Sequence, residues 1–321
     1  MQKGTWKNRI LPILAAAICI AVLNACTPKG AVLKEELLAA LDKQSELRSF
    51  RFQGTAALSI PGMNRDEGGS RVPAALLGST LSWKGTADLG QNRMELELSV
   101  RPEDSGVAFS FPLVLHENRL YFRLPVYGKE SADWFLEFPG NERASLAESG
   151  LALADLMKLA VQPLGPEFFE TPGRTGETEK RIRIPVEQDR LPELLASVGP
   201  EVPAMLDLLV SSGLVTEEQA NRWSGHLESG ELAERLKGLR LDEPGGITFT
   251  LNGDGFITAY EFRLNARLEG NPDERFEIQW TGRLDDLNQP QEFQREIPDE
   301  ALSLNELFET FSSSGTGADS E

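Results

Sequence analysis

Apolar and polar positions alternate with period two over most of this chain. Met94, Leu96, Leu98 and Val100 interleave with Glu95, Glu97 and Ser99 in the clearest run. Phe50, Phe52, Ala56, Leu58 and Ile60 share one parity, with Gly54 in the same set, and Leu81, Trp83, Ala87 and Leu89 repeat the pattern. Short runs at 109–111, 120–124 and 134–138 continue it. Strands so closely spaced predict an antiparallel meander. Alternation returns at Ile247, Phe249 and Leu251, then over Tyr260, Phe262, Leu264, Ala266 and Leu268, and over Phe276, Ile278 and Trp280. Each strand thus has one apolar and one polar face, as expected of a sheet covered on one side.

Helical spacing frames and interrupts the strands. Leu33, Leu37 and Leu41 recur every four residues and predict an amphipathic helix over 32–48. Residues 145–160 carry Leu146, Leu153, Leu156, Met157 and Ala160 on one side, and 163–172 reads as a loop. Arg181–Val186 reads as a strand ended by proline. A helical insertion follows over about 190–240, in which Thr216-Glu217-Glu218-Gln219 forms a capping box. Leu302–Phe311 suits a last short helix, and 311–321 a disordered tail. There is no tandem repeat and no linker between two halves, so 31–310 reads as one α+β domain.

The first 26 residues differ in kind. Lys3, Lys7 and Arg9 precede an apolar run from Leu11 to Leu23, short for a membrane span but suited to a signal peptide. Leu23-Asn24-Ala25-Cys26 then resembles the bacterial lipobox. That resemblance implies a signal peptide over 1–25, diacylated Cys26 as the first mature residue, and a tether over 26–30. More than one acyl chain suffices for stable attachment.

Composition narrows the chemistry. The net charge is -18, from 32 basic and 50 acidic residues in 321. Removing the leader's three cations makes the mature chain more negative still. Such a balance argues against nucleic acid, whose phosphates need Lys and Arg. Two Cys and two His cannot build the usual zinc or iron–sulfur sites. His116 reads as a turn residue and His226 as part of a polar helix, neither paired with a nucleophile, and no G-x-S-x-G elbow occurs. Thr250 to Glu261 aligns with a calcium loop through Asn252, Asp254, Gly255, Ile257 and Glu261, but Thr250 replaces the first carboxylate and strands flank it. A hairpin turn explains Asn252–Gly255 better. The expectation is a protein without enzymatic activity, cofactor or metal.

The order is lipobox, helix, meander, short helices, then closing strands. It resembles the LolA/LolB-like superfamily of bacterial lipoprotein carriers, including the LppX/LprG-type lipoproteins. Leu47-Arg48-Ser49-Phe50 and Leu251–Ile257 are similar to segments of that family. The resemblance implies a curved, open antiparallel sheet, a half-barrel, with helices over its concave face. It implies non-covalent binding of a lipid or acyl chain by a protein on the extracytoplasmic face of a cell membrane. The aromatic candidates for ligand contact are Phe52, Trp83, Phe122, Phe262 and Trp280. The alternative is an anchored interaction or sensor module of the same fold, its core filled, meeting a protein partner in the envelope. Core packing against ligand contact is a question the sequence leaves open at each aromatic.

Overall fold

The computed structural model describes residues 29–59, 79–102, 106–117, 119–123, 133–137, 146–172, 179–212, 215–228, 238–269, 271–298 and 302–303. The predicted signal peptide, Cys26, the loop after β1 and the polar tail lie outside these residues.

The first strands are β1 (Ser49–Ser59), β2 (Ser79–Asp88), β3 (Arg93–Pro102), β4 (Phe109–His116), β5 (Arg119–Arg123) and β6 (Asp133–Glu137). After the helices come β7 (Lys180–Val186), β8 (Leu239–Leu241), β9 (Gly245–Leu251), β10 (Ile257–Leu268), β11 (Asn271–Asp285) and β12 (Leu302–Ser303). All belong to one sheet in the order β12-β6-β5-β4-β3-β2-β1-β11-β10-β9-β7, with β8 on β10. Neighbours run antiparallel except for the two-residue pairing of β12 with β6. The ends do not pair with each other, so the sheet is open. The joint between the two strand groups is β1 against β11, from Arg51↔Asp285 to Ser59↔Glu277.

Register turns separate alternations into one apolar face. Phe52 faces Gly85, Ala56 faces Leu81, and Gly54 lies between Trp83 and Gly282. Met94, Leu96, Leu98 and Val100 continue the row on β3, and Phe111, Leu113 and Leu115 on β4. On the other side Leu284, Gly282, Trp280 and Ile278 lead to Tyr260, Phe262 and Leu264, then to Phe249 and Ile247, and to Ile182 and Ile184. The opposite face carries Arg51, Gln53, Lys84, Glu97, Arg283 and Glu261.

The helices are α1 (Lys29–Lys43), α2 (Leu146–Val161), α3 (Leu191–Val198), α4 (Val202–Ser211) and α5 (Glu217–Glu228). Helix α1 starts inside the predicted tether and stops at Lys43, with a 3-10 turn over Gln44–Glu46. Its start follows from packing: the missing side chain of Gly30 lets the backbone touch Pro166. Leu33, Leu37, Ala40 and Leu41 bury one face against Val161, Leu164, Phe168, Phe169, Ile182, Phe249 and Ile257. Lys34 fixes the neighbouring chain by donating to the Gln162 and Leu164 carbonyls at 2.7 and 2.6 Å. The predicted 163–172 loop contains a 3-10 turn, Pro166–Phe168, and a bridge from Glu170 to Arg183.

Within the expected insertion the described residues form α3, α4 and α5, and β8 begins at Leu239. The run Leu191–Ser211 is long and apolar enough, by length and composition, to cross a membrane, and is hardly buried. The capping box closes as predicted: the Thr216 N–H donates to Gln219 Oε1 at 2.9 Å, and the Gln219 N–H to Thr216 Oγ1 at 3.2 Å. One prediction is corrected. Leu302 and Ser303 form β12 and not a helix, because the edge of β6 offers them unpaired backbone groups. Residues 304–311 lie outside the described ones. On the polar face, 286–298 crosses β3, where buried Glu95 accepts from the Gln294 and Arg295 N–H groups at 2.9 and 2.8 Å.

Candidate functional site

A cavity of ≈ 380 Å³ lies between the apolar face and the helices. Its floor is Phe50 and Phe52 of β1, Trp83 and Ala87 of β2, and Met94 of β3, with Tyr260 and Leu284 beside them. Its roof is Leu41 of α1 and Leu153, Ala154 and Met157 of α2. Gln44, Ser45, Leu47, Arg48 and Leu89 line the end where strands β1 and β10 begin. The volume lies in the usual range for small-molecule pockets, roughly 300–1,000 Å³, and so does the mostly apolar lining.

Glycines shape the floor. A side-chain carbon on Gly54 would collide with the Trp83 ring and the Thr281 carbonyl, and one on Gly282 with the Tyr260 ring. Each ring thus occupies the place that a side chain at the glycine would take. Gly54→Val is expected to destabilise by about 3 kcal/mol through overpacking, measured by chemical denaturation. A variant as stable as the wild type would contradict this tight stacking.

The five sequence candidates lie on one face but not in one site. Phe52 and Trp83 line the cavity. Phe122 faces Leu113 and Trp134 on β4 and β6, farther along the sheet. Phe262 faces Trp280 and Ile247 across β10. Trp280 touches Trp83 edge-on, with ring centres 5.8 Å apart, and is 43% exposed, so it stands at the open part of the face. Sequence reasoning expected helices over this face but named none of the roof residues as ligand contacts, and it did not name Tyr260. Tyr260 had a visible signal, since it shares the parity of Phe262 and Leu264; the roof had none beyond the apolar side of α2.

Burial raises the Tyr260 hydroxyl above its ordinary pKa of 10.0, partly opposed by the Trp280 indole N–H bonded to it. Folding thus favours the neutral phenol. The stability this contributes is complete below the unfolded pKa and is lost as pH rises through the raised folded value. Tyr260→Phe is expected to remove a late-titrating phenol from an alkaline absorbance titration. An unchanged curve would contradict that burial.

Two further depressions, of ≈ 550 and ≈ 500 Å³, lie on the polar face. Their charges include two pairs, Lys84 with Glu97 at 3.2 Å and Arg283 with Asp285 at 2.9 Å. His116 ends β4 instead of occupying a turn, with Nε2 3.8 Å from Glu117. The His226 side chain lies outside the described residues. The 252–255 segment is the expected hairpin turn: Asn252 Oδ1 accepts from the Asp254 and Phe256 N–H groups, and Gly255 takes φ +83. Among the described residues, no group of three or more His, Cys, Asp or Glu is placed to hold a metal ion.

No protein-family model matches the chain, and no curated protein sequence matches it. The likeness is to solved structures. LprF from Mycobacterium bovis matches over 82% of this chain and 96% of its own, at 8% identity and a TM-score of 0.36. The open antiparallel sheet and its helices, an α+β fold, are read from this chain's own strands and helices.

Proposed function

We propose that this chain is a lipid-anchored envelope protein that holds a hydrophobic ligand, a lipid or acyl chain, without catalysis. The observation that carries the reading is the ≈ 380 Å³ cavity between α1, α2 and strands β1 to β3. It lies where α1 and α2 cover the apolar face. A ligand tail there would leave water at about 25 cal/mol per Å² of apolar surface. The rival, an interaction or sensor module with a filled core, has no use for such a space. Anchoring is supported by the leader over 1–25 and by Cys26 directly after it, three residues before α1 begins at Lys29. The chain can separate the two by at most about 11 Å. The anchor would then hold the domain on the extracytoplasmic face of a cell membrane.

Titrating purified full-length protein with a fluorescent acyl probe tests the ligand. The expected result is saturable binding of one probe per chain, displaced by unlabelled fatty acid. Uptake that never saturates, or no uptake, would refute the reading.

A further inference from the structure

We propose that the cavity takes an amphiphile with an anionic head, carboxylate or phosphate, and that Arg48 is the cation that meets it. The inference rests on the cavity reading above and adds the ligand's charge. The chain holds 50 acidic residues against 32 basic ones. The described cavity lining nevertheless contains no Asp or Glu, and its charged members are Arg48 and Arg283. The lining thus runs against the acidic balance of the whole chain. A carboxylate there would repel an anionic head.

The two arginines are not equivalent. Arg283 faces Gln53 in the register, on the polar side of the sheet, and is engaged by Asp285 at 2.9 Å. Arg48 sits one residue before β1, with the parity of Phe50 and Phe52, and so extends the apolar row to the cavity's end. It has no carboxylate partner among the described residues. Its Nη1 reaches only the Ser45 and Leu47 carbonyls, both at 3.4 Å. Asp42 is engaged by Lys158 and Asp88 by Gln91, while Glu46, two residues before Arg48, is exposed.

The backbone of Arg48 is pinned on both sides. Its N–H donates to Asn288 Oδ1 at 2.7 Å, and its carbonyl accepts from the Leu89 N–H at 2.6 Å. A guanidinium offers a planar fork that pairs with two oxygens of a carboxylate or phosphate. The side chain is exposed while the adjoining floor is apolar, so a head can stay wet while its tail is buried. Anchoring a cation on a fixed backbone lowers the ordering cost of that contact.

Palmitate, lysophosphatidate and hexadecanol, each displacing a fluorescent acyl probe from the full-length protein, test the proposal. At least one anionic ligand is expected to bind about tenfold tighter than the alcohol. Which of the two does so identifies the head. Arg48→Gln is expected to erase that preference and leave hexadecanol within about twofold. Raised salt should weaken the anion and spare the alcohol in the wild type, a readout that does not depend on the variant folding. Equal binding of charged and neutral ligands, or a preference that survives in Arg48→Gln, overturns the head-group site and leaves the cavity standing. Failure of all three ligands to bind overturns both.

Discussion

Ala154→Trp is expected to reduce acyl-chain binding by at least about a hundredfold while leaving the fold in place. Ala154 is on α2 and lines the cavity roof opposite Trp83 and Met94, half-buried and with no polar contact of its own. A tryptophan at that position occupies the space that the ligand needs, and Trp is tolerated in a helix at a cost of a few tenths of a kcal/mol. Because the space is already empty, filling it does not overpack a close-packed core, for which a cost of about 1–3 kcal/mol would be expected. Titration with the fluorescent acyl probe checks the binding, and thermal unfolding checks the fold. A variant that melts like the wild type and still binds would place the ligand elsewhere, with the exposed part of the face around Trp280 the next surface to test.

Cys26→Ser is expected to abolish acylation altogether. The prediction follows from chemistry: the thioether of a lipidated cysteine needs the sulfur, and a serine oxygen does not replace it. Cells fed an alkyne-tagged fatty acid should label the wild type and not the variant. Persistent label on Cys26→Ser would remove the anchor from the account without touching the cavity. The two predictions therefore fail independently, since one concerns the leader and the other the folded domain.

Most of the fold was legible because it is written locally. Period-two runs such as Met94–Val100 assign each residue to a face before any partner is known, and register then aligns those faces. The every-four spacing of Leu33, Leu37 and Leu41 likewise gave the buried side of α1. What was not legible depends on distant partners. Gly30 enters α1 because Pro166 lies against it, and Leu302 becomes a strand because β6 has a free edge. The cavity is of the same kind. Parity placed Phe52, Trp83, Phe122, Phe262 and Trp280 on one face but said nothing of where α2 crosses it. Only Phe52 and Trp83 lie under that crossing. Arg48 was visible in the sequence within a family-like segment, but that it has no carboxylate partner among the described residues is legible only in the structure.

The polar face is tied to the cavity's end. Glu95 fastens 286–298 across the outside of the sheet, and the same segment supplies Asn288, which holds the Arg48 backbone. A change at the outer face can thus reach the cavity's end through one covalent run of residues.

The most direct test of the central claim is native mass spectrometry of the protein purified gently from its own membrane. The account predicts a non-covalent adduct of lipid mass on the wild type, lost on collisional activation and absent from Ala154→Trp. A wild-type chain that carries only its covalent modifications, and that takes up no added acyl probe, would contradict it.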